Sequence, residues 1–150
     1  MAAPDRSSER DGGVPMHASE SVRNDREAIV AIGERIVAAA GKAGFSEASC
    51  FAVRLAFEEA LVNAFRHGHK ALADDVPVDV EYDVSPERIE IAVEDAGPGF
   101  DPEAVPDPTA PENITKTSGR GLLLIRSYMT EVRHSKGGNR IEMRYEKPDA

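Results

Sequence analysis

Apolar residues recur at helical spacing through Val22, Ile29, Ile32, Ile36 and Val37, and the run ends near Gly41 and Gly44. Steps of three and four place such residues on one face of a helix, and glycine is a common stop. A second helix is predicted after Ser46, whose hydroxyl suits an N-cap. It runs through Phe51, Leu55, Val62 and Phe65 to a stop at Gly68. The period then changes to two. Val76, Val78, Val80, Tyr82 and Val84 alternate with Pro77, Asp79, Glu81 and Asp83, the pattern of a half-buried strand. Ser85-Pro86 makes a turn, and Ile89, Ile91 and Val93 continue on a second strand.

Residues 98–111 are rich in Pro, Asp and Glu and have no period, which predicts a lid or binding loop. A third helix, Leu122 to Met129, is apolar on nearly every side and is expected to be buried. Val132 and His134 start another strand, Gly137-Gly138 suits a hairpin turn, and Ile141, Met143 and Tyr145 form the last strand. Residues 1–20, rich in Ser, Asp, Arg, Gly and Pro, read as a flexible tail, with only a weak strand signal around Val14–Met16. Residues 21–148 then form a single domain. Its expected class is α+β: a two-layer sandwich whose mixed, mainly antiparallel sheet is covered on one face by helices.

Charge narrows the partners. Eighteen basic against 27 acidic residues leave a net charge of -9, a poor match for nucleic acid or an anionic membrane surface. It does not weigh against binding one nucleotide, for which a few local donors and a metal suffice. The lone cysteine, Cys50, offers no internal disulfide or thiolate cluster, and a reducing cytoplasm is the expected setting. No apolar run approaches the ~20 residues that span a bilayer, and the N-terminus lacks the apolar stretch of a secretory signal.

Three clusters carry candidate chemistry. Asp95 shares the parity of Ile89, Ile91 and Val93, so its strand aims it toward the covered face. A carboxylate there requires a fixed donor, and the Ala96-Gly97-Pro98-Gly99 run lets something approach closely. An adenine 6-amino group is one such donor; the other reading is a strand-end Asp that opens an ordinary turn. On the second helix Glu59, Asn63 and His67 lie four apart along one stripe. Asn63 could complete the shell of a phosphate-bound Mg²⁺, and Glu59 could accept a proton from an attacking hydroxyl. The alternative is a polar helix face with a C-terminal His near the negative end of the dipole, and with Glu58 simply solvated. Third, Lys116-Thr117-Ser118-Gly119-Arg120-Gly121-Leu122 leads into the apolar helix. Free amides and a positive dipole end make a phosphate seat, although any loop-to-helix junction can be glycine-rich.

Several alternatives are excluded. There is no GxxxxGK[ST] P-loop, Gly97-Pro98-Gly99 lacks the third glycine of GxGxxG, and zinc spacings and a nucleophile elbow are absent.

Glu59-Ala60-Leu61-Val62-Asn63, Asp95-Ala96-Gly97-Pro98-Gly99-Phe100 and Gly119-Arg120-Gly121-Leu122 occur in the order of three ATP-site boxes. Together they resemble the superfamily of gyrase-type, heat-shock chaperone and histidine-kinase ATPase domains (GHKL). The form Glu-Ala-Leu-Val-Asn-Ala-Phe-Arg-His-Gly, with Gly-Arg-Gly-Leu-Leu-Leu-Ile-Arg, is most similar to the bacterial anti-sigma-factor serine/threonine kinases. The resemblance covers roughly residues 25–146. It implies Glu59 as general base, Asn63 as magnesium ligand, Asp95 as the adenine-binding Asp, and Gly97 and Gly99 as lid hinges. Gly119 and Gly121 would contact phosphate, with Lys116, Thr117 and Ser118 in the closing lid stretch and Arg120 and Leu122 beside them. It further implies ATP and Mg²⁺, a serine or threonine on an anti-anti-sigma STAS-domain partner, a sigma factor as second partner, and the option of a homodimer. The strand expected ahead of the first helix is not clear in the sequence. A nucleotide-dependent binding module without phosphotransfer, and a detached histidine-kinase ATPase domain, are the competing functions.

Overall fold

A computed structural model of the chain describes residues 10–11, 14–68, 76–97, 117–135 and 139–148 (side chains excepted at 10, 11, 14, 67, 68 and 117–122). Two short strands, β1 (Arg10–Asp11) and β2 (Val14–Pro15), pair as an antiparallel ribbon. They precede β3 (His17–Val22), a six-residue strand. The tail predicted for residues 1–20 therefore overlaps strand structure, and Val22, read as helical, is the buried last residue of β3. His-Ala-Ser-Glu-Ser-Val offers little apolar alternation because β3 lies at the edge of the sheet, where β4 alone among the described residues pairs with it.

Helix α1 (Arg26–Lys42) starts where the Asp25 carboxylate accepts the Glu27 amide, at 3.1 Å. It passes through Gly41 and stops at Gly44, whose φ of 92° favours glycine. The Phe45 amide bonds the Ala40 carbonyl and the Gly44 amide bonds the Gly41 carbonyl, a Schellman closure. Lys147 completes this corner from the far end of the chain, donating to the Ala43 carbonyl at 2.7 Å above the Phe45 ring. Helix α2 (Glu47–Asn63) is capped by Ser46 Oγ, which accepts the Ser49 amide, and continues as a π-helical turn (Ala64–Gly68).

The sheet then adds β4 (Val78–Val84) and β5 (Arg88–Glu94). Helix α3 (Thr117–Tyr128) leads to β6 (Glu131–Ser135) and β7 (Arg140–Glu146). The strand order is β3-β4-β5-β7-β6. Every pairing among the described strands is antiparallel, in keeping with the mainly antiparallel sheet of the expected α+β sandwich, and no parallel pair accompanies them. The reason is β7: it returns into the gap between β5 and β6, so those two parallel-running strands never become neighbours.

Helix α1 packs on β4, α2 on β5 and α3 on β6, with α2 also against both other helices. The inner sheet face contributes Val78, Val80, Tyr82, Val84, Ile89, Ile91, Val93 and Met143 to the core. The helices answer with Ile32, Ile36, Val53, Phe57, Leu61 and Ile125. One expectation fails. Helix α3 is not buried all round: Ile125 is fully covered, but Leu123 and Leu124 are 39% and 43% exposed. It also begins at Thr117, so Gly119, Arg120 and Gly121 lie inside its opening turns instead of in a loop before it. The segment 98–111 and the Gly137-Gly138 turn lie outside the described residues, although the Ser135↔Arg140 register joins β6 to β7 around the latter. Among the described residues, no helix is long and apolar enough to cross a membrane.

Candidate functional site

Helix α2 buries Val53, Ala56, Phe57, Ala60 and Leu61, which leaves Glu59 and Asn63 half-buried at the flank of that face. Glu58 is held by Arg54 at 3.2 Å, one turn back, and is not merely solvated. Glu59 has no such tether: no described residue offers its carboxylate a hydrogen bond or ion pair. Asn63 stands at the last α-helical position. Its Oδ1 is buried and accepts no hydrogen bond from any described residue. A buried acceptor without a donor is costly, so this oxygen suits an external donor or a hard cation. The π-helical turn that follows loosens the regular ladder at this point. His67 lies within it, where four residues no longer make one turn, and its side chain is outside the described residues.

Asp95 follows directly on β5 and is half-buried, as its parity with the buried Ile89, Ile91 and Val93 requires. The donors demanded by the sequence are present within the chain: the Gly97 amide reaches Asp95 Oδ1 at 2.8 Å, and Asn139 Nδ2 reaches the same oxygen at 3.2 Å. Asp95 thus opens a tight turn, as the ordinary-turn reading expects. Asn139 sits one step beyond the Glu94↔Arg140 pair, opposite Asp95, and its carbonyl accepts the Asp95 amide at 2.9 Å. Nothing in the sequence singles out Asn139, because an Asn after two glycines reads as turn chemistry and its partner is 44 residues away.

Gly119, Arg120 and Gly121, with Thr117, Ser118 and Leu122, form the start of α3, which packs against α2. The backbone at the head of this helix has amides without intrahelical partners, the feature that seats anions. Gly99 and Lys116 lie outside the described residues. Helix α2 is therefore the common support, touching both β5, which ends at Asp95, and α3, which opens with the glycines.

Among the described residues, no group of three or more His, Cys, Asp or Glu is placed to hold a metal ion. A cation at Asn63 would take most of its shell from phosphate and water, as Mg²⁺ does. On the open face of the sheet a concavity is lined by Glu131, Arg133, Arg140, Glu142 and Arg144, but not by Glu59, Asn63 or Asp95. Arg140 there is opposed by its own burial, yet Glu81 and Glu142 more than offset this and hold its pKa above the ordinary value.

Residues 22–145 match the histidine kinase-like ATPase domain family. The chain is also similar to serine-protein kinase RsbW of Listeria monocytogenes serotype 4a, 31% identical over 100 residues that make up 63% of each chain. Serine-protein kinase RsbW of Listeria innocua serovar 6a is 30% identical over a stretch of the same length. Serine-protein kinase RsbW of Staphylococcus epidermidis is 34% identical over 85 residues, 53% of this chain and 54% of that one. The match thus spans less than two thirds of the length of these relatives.

Proposed function

Because the chain belongs to the histidine kinase-like ATPase domain family, we propose that it is an ATP-dependent serine/threonine protein kinase of the anti-sigma-factor type. On this reading it acts in the cytoplasm, phosphorylates an anti-anti-sigma STAS-domain partner and sequesters a sigma factor. The observation that carries the proposal is the buried Asn63 Oδ1 without a donor among the described residues, one turn from the untethered Glu59. The printed names of the similar proteins, serine-protein kinases, support the same chemistry.

Asn63 Oδ1 would hold Mg²⁺, whose contribution when bound is to neutralise charge on the phosphates. Glu59 orients the acceptor hydroxyl and takes its proton. The amides at the head of α3, with Gly119 and Gly121, seat the phosphates, assisted by Lys116, Thr117, Ser118 and Arg120. Asp95 accepts the adenine amino group, and Gly97 and Gly99 let the chain close beside it.

The test is purified protein with γ-labelled ATP and candidate STAS-domain proteins. Glu59→Ala should retain ATP affinity and lose transfer by about a hundredfold or more, whereas Asp95→Ala should lose binding. Equal nucleotide affinity in wild type and Asp95→Ala would sink the adenine assignment. Binding without label on any partner would make the protein a nucleotide-dependent binding module instead.

A further inference from the structure

We infer that Asn139 is a positioning residue that sets the base selectivity of the nucleotide site through Asp95, an inference that rests on the ATP-binding reading above. Three acceptors converge on Asn139 Nδ2: the Gly97 carbonyl, Asp95 Oδ1 at 3.2 Å and the Asp95 carbonyl at 3.4 Å. An amide nitrogen carries two hydrogens, so the three contacts share them. The flipped amide would set an oxygen against three oxygens, so its orientation is forced by its surroundings. The backbone adds a fourth tie, from the Asp95 amide to the Asn139 carbonyl. One residue just ahead of β7 thus grips the turn after β5 by its side chain and its main chain.

The grip acts on the carboxylate as well as on the turn. Asn139 Nδ2 and the Gly97 amide both donate to Oδ1, which fixes the plane of the carboxyl group and the direction of its other lone pairs. A carboxylate is acceptor-only when ionised. Held in one orientation, it favours a base that presents an amino donor, as adenine does at its 6-position, over guanine, which presents a carbonyl oxygen there. A carboxylate free to swing would discriminate less, because it could turn away from the unfavourable oxygen pair. Asn139 contributes to selectivity without touching the base.

A role in turn shape alone makes a different forecast: ATP and GTP would weaken alike and their ratio would hold. On the positioning view the ratio narrows, and Asn139→Asp is the harshest change, since it removes both donor hydrogens and sets a second carboxylate against the first. The experiment measures dissociation constants for ATP and GTP by calorimetry on the full chain, for wild type, Asn139→Ala, Asn139→Asp and Asp95→Ala. Thermal melting confirms that each variant folds, and Asn139→Ser, a shorter donor, substitutes for any that does not. Asn139→Ala should weaken ATP by about tenfold, the scale of one lost hydrogen bond to a charged group. It should also narrow the ATP-over-GTP ratio, and Asn139→Asp should weaken ATP further. Wild-type ATP affinity in folded Asn139→Asp, or an unchanged ATP-over-GTP ratio in Asn139→Ala, overturns the inference while Asp95→Ala still loses ATP. Unchanged ATP affinity in Asp95→Ala overturns the underlying reading instead, whatever the Asn139 variants do.

Discussion

Gly33 faces the Phe57 ring where α1 meets α2, and a β-carbon built there would stand 3.6 Å from the ring, an ordinary contact. The position is helical and buried, so the missing methyl costs backbone entropy without relieving a clash. Gly33→Ala should raise stability by about 0.5–1 kcal/mol. Gly44 is the opposite case. Its φ of 92° is strained for any L side chain, and a β-carbon would lie 3.1 Å from Lys147 Nζ, the group that caps the corner. Gly44→Ala should lower stability by about 1–2 kcal/mol. Urea unfolding of the two variants beside wild type checks both signs, and equal effects would show that backbone conformation is not what separates the sites.

Helix α3 shows how an element can be legible in type but not in facing. Leu122, Leu123, Leu124 and Ile125 form an unbroken apolar run, which looks the same whichever side is packed. Packing against α2 and β6 selects Ile125 and Met129, and leaves Leu123 and Leu124 partly in solvent. Ile125→Ala should therefore cost about 2–4 kcal/mol, as a cavity in a closed core does, while Leu124→Ala costs well under half of that. Comparable losses at the two positions, read from thermal melts, would contradict this facing. The hairpin strands β4 and β5 were readable because one face is wet and the other dry, so their alternation is written residue by residue. The α2 stripe of Glu59 and Asn63 followed from helical spacing alone. Strand β3 escaped because an edge strand of small and polar residues carries little period. Asn139 escaped because only the β5–β7 register brings it to Asp95.

Across the whole molecule, the helical face of the sheet is apolar and the open face is an ionic lattice. Arg140 reaches Glu81 at 3.5 Å, Glu94 at 3.6 Å and Glu142 at 3.4 Å, so it bridges three strands. Arg144 continues the lattice to Glu131 at 2.6 Å and Glu146 at 3.4 Å. With Arg140 only 18% exposed, its removal leaves three carboxylates crowded together. Arg140→Ala should cost about 2 kcal/mol at low salt, and the gap to wild type should narrow in about 1 M salt, where screening is short-ranged. A gap that ignores salt in denaturant titrations would trace the loss to packing instead. The β5–β7 pairing has a consequence in time as well as in space. Asp95 and Asn139 are 44 residues apart and meet only once these strands have joined, a closure whose entropic cost delays it relative to the local hairpins. On the proposed reading, nucleotide finds its complete base-binding turn only in chains that have finished folding. Each bound molecule then draws the population toward the folded state by mass action, so cellular nucleotide supply would set how long this chain survives heat and proteases.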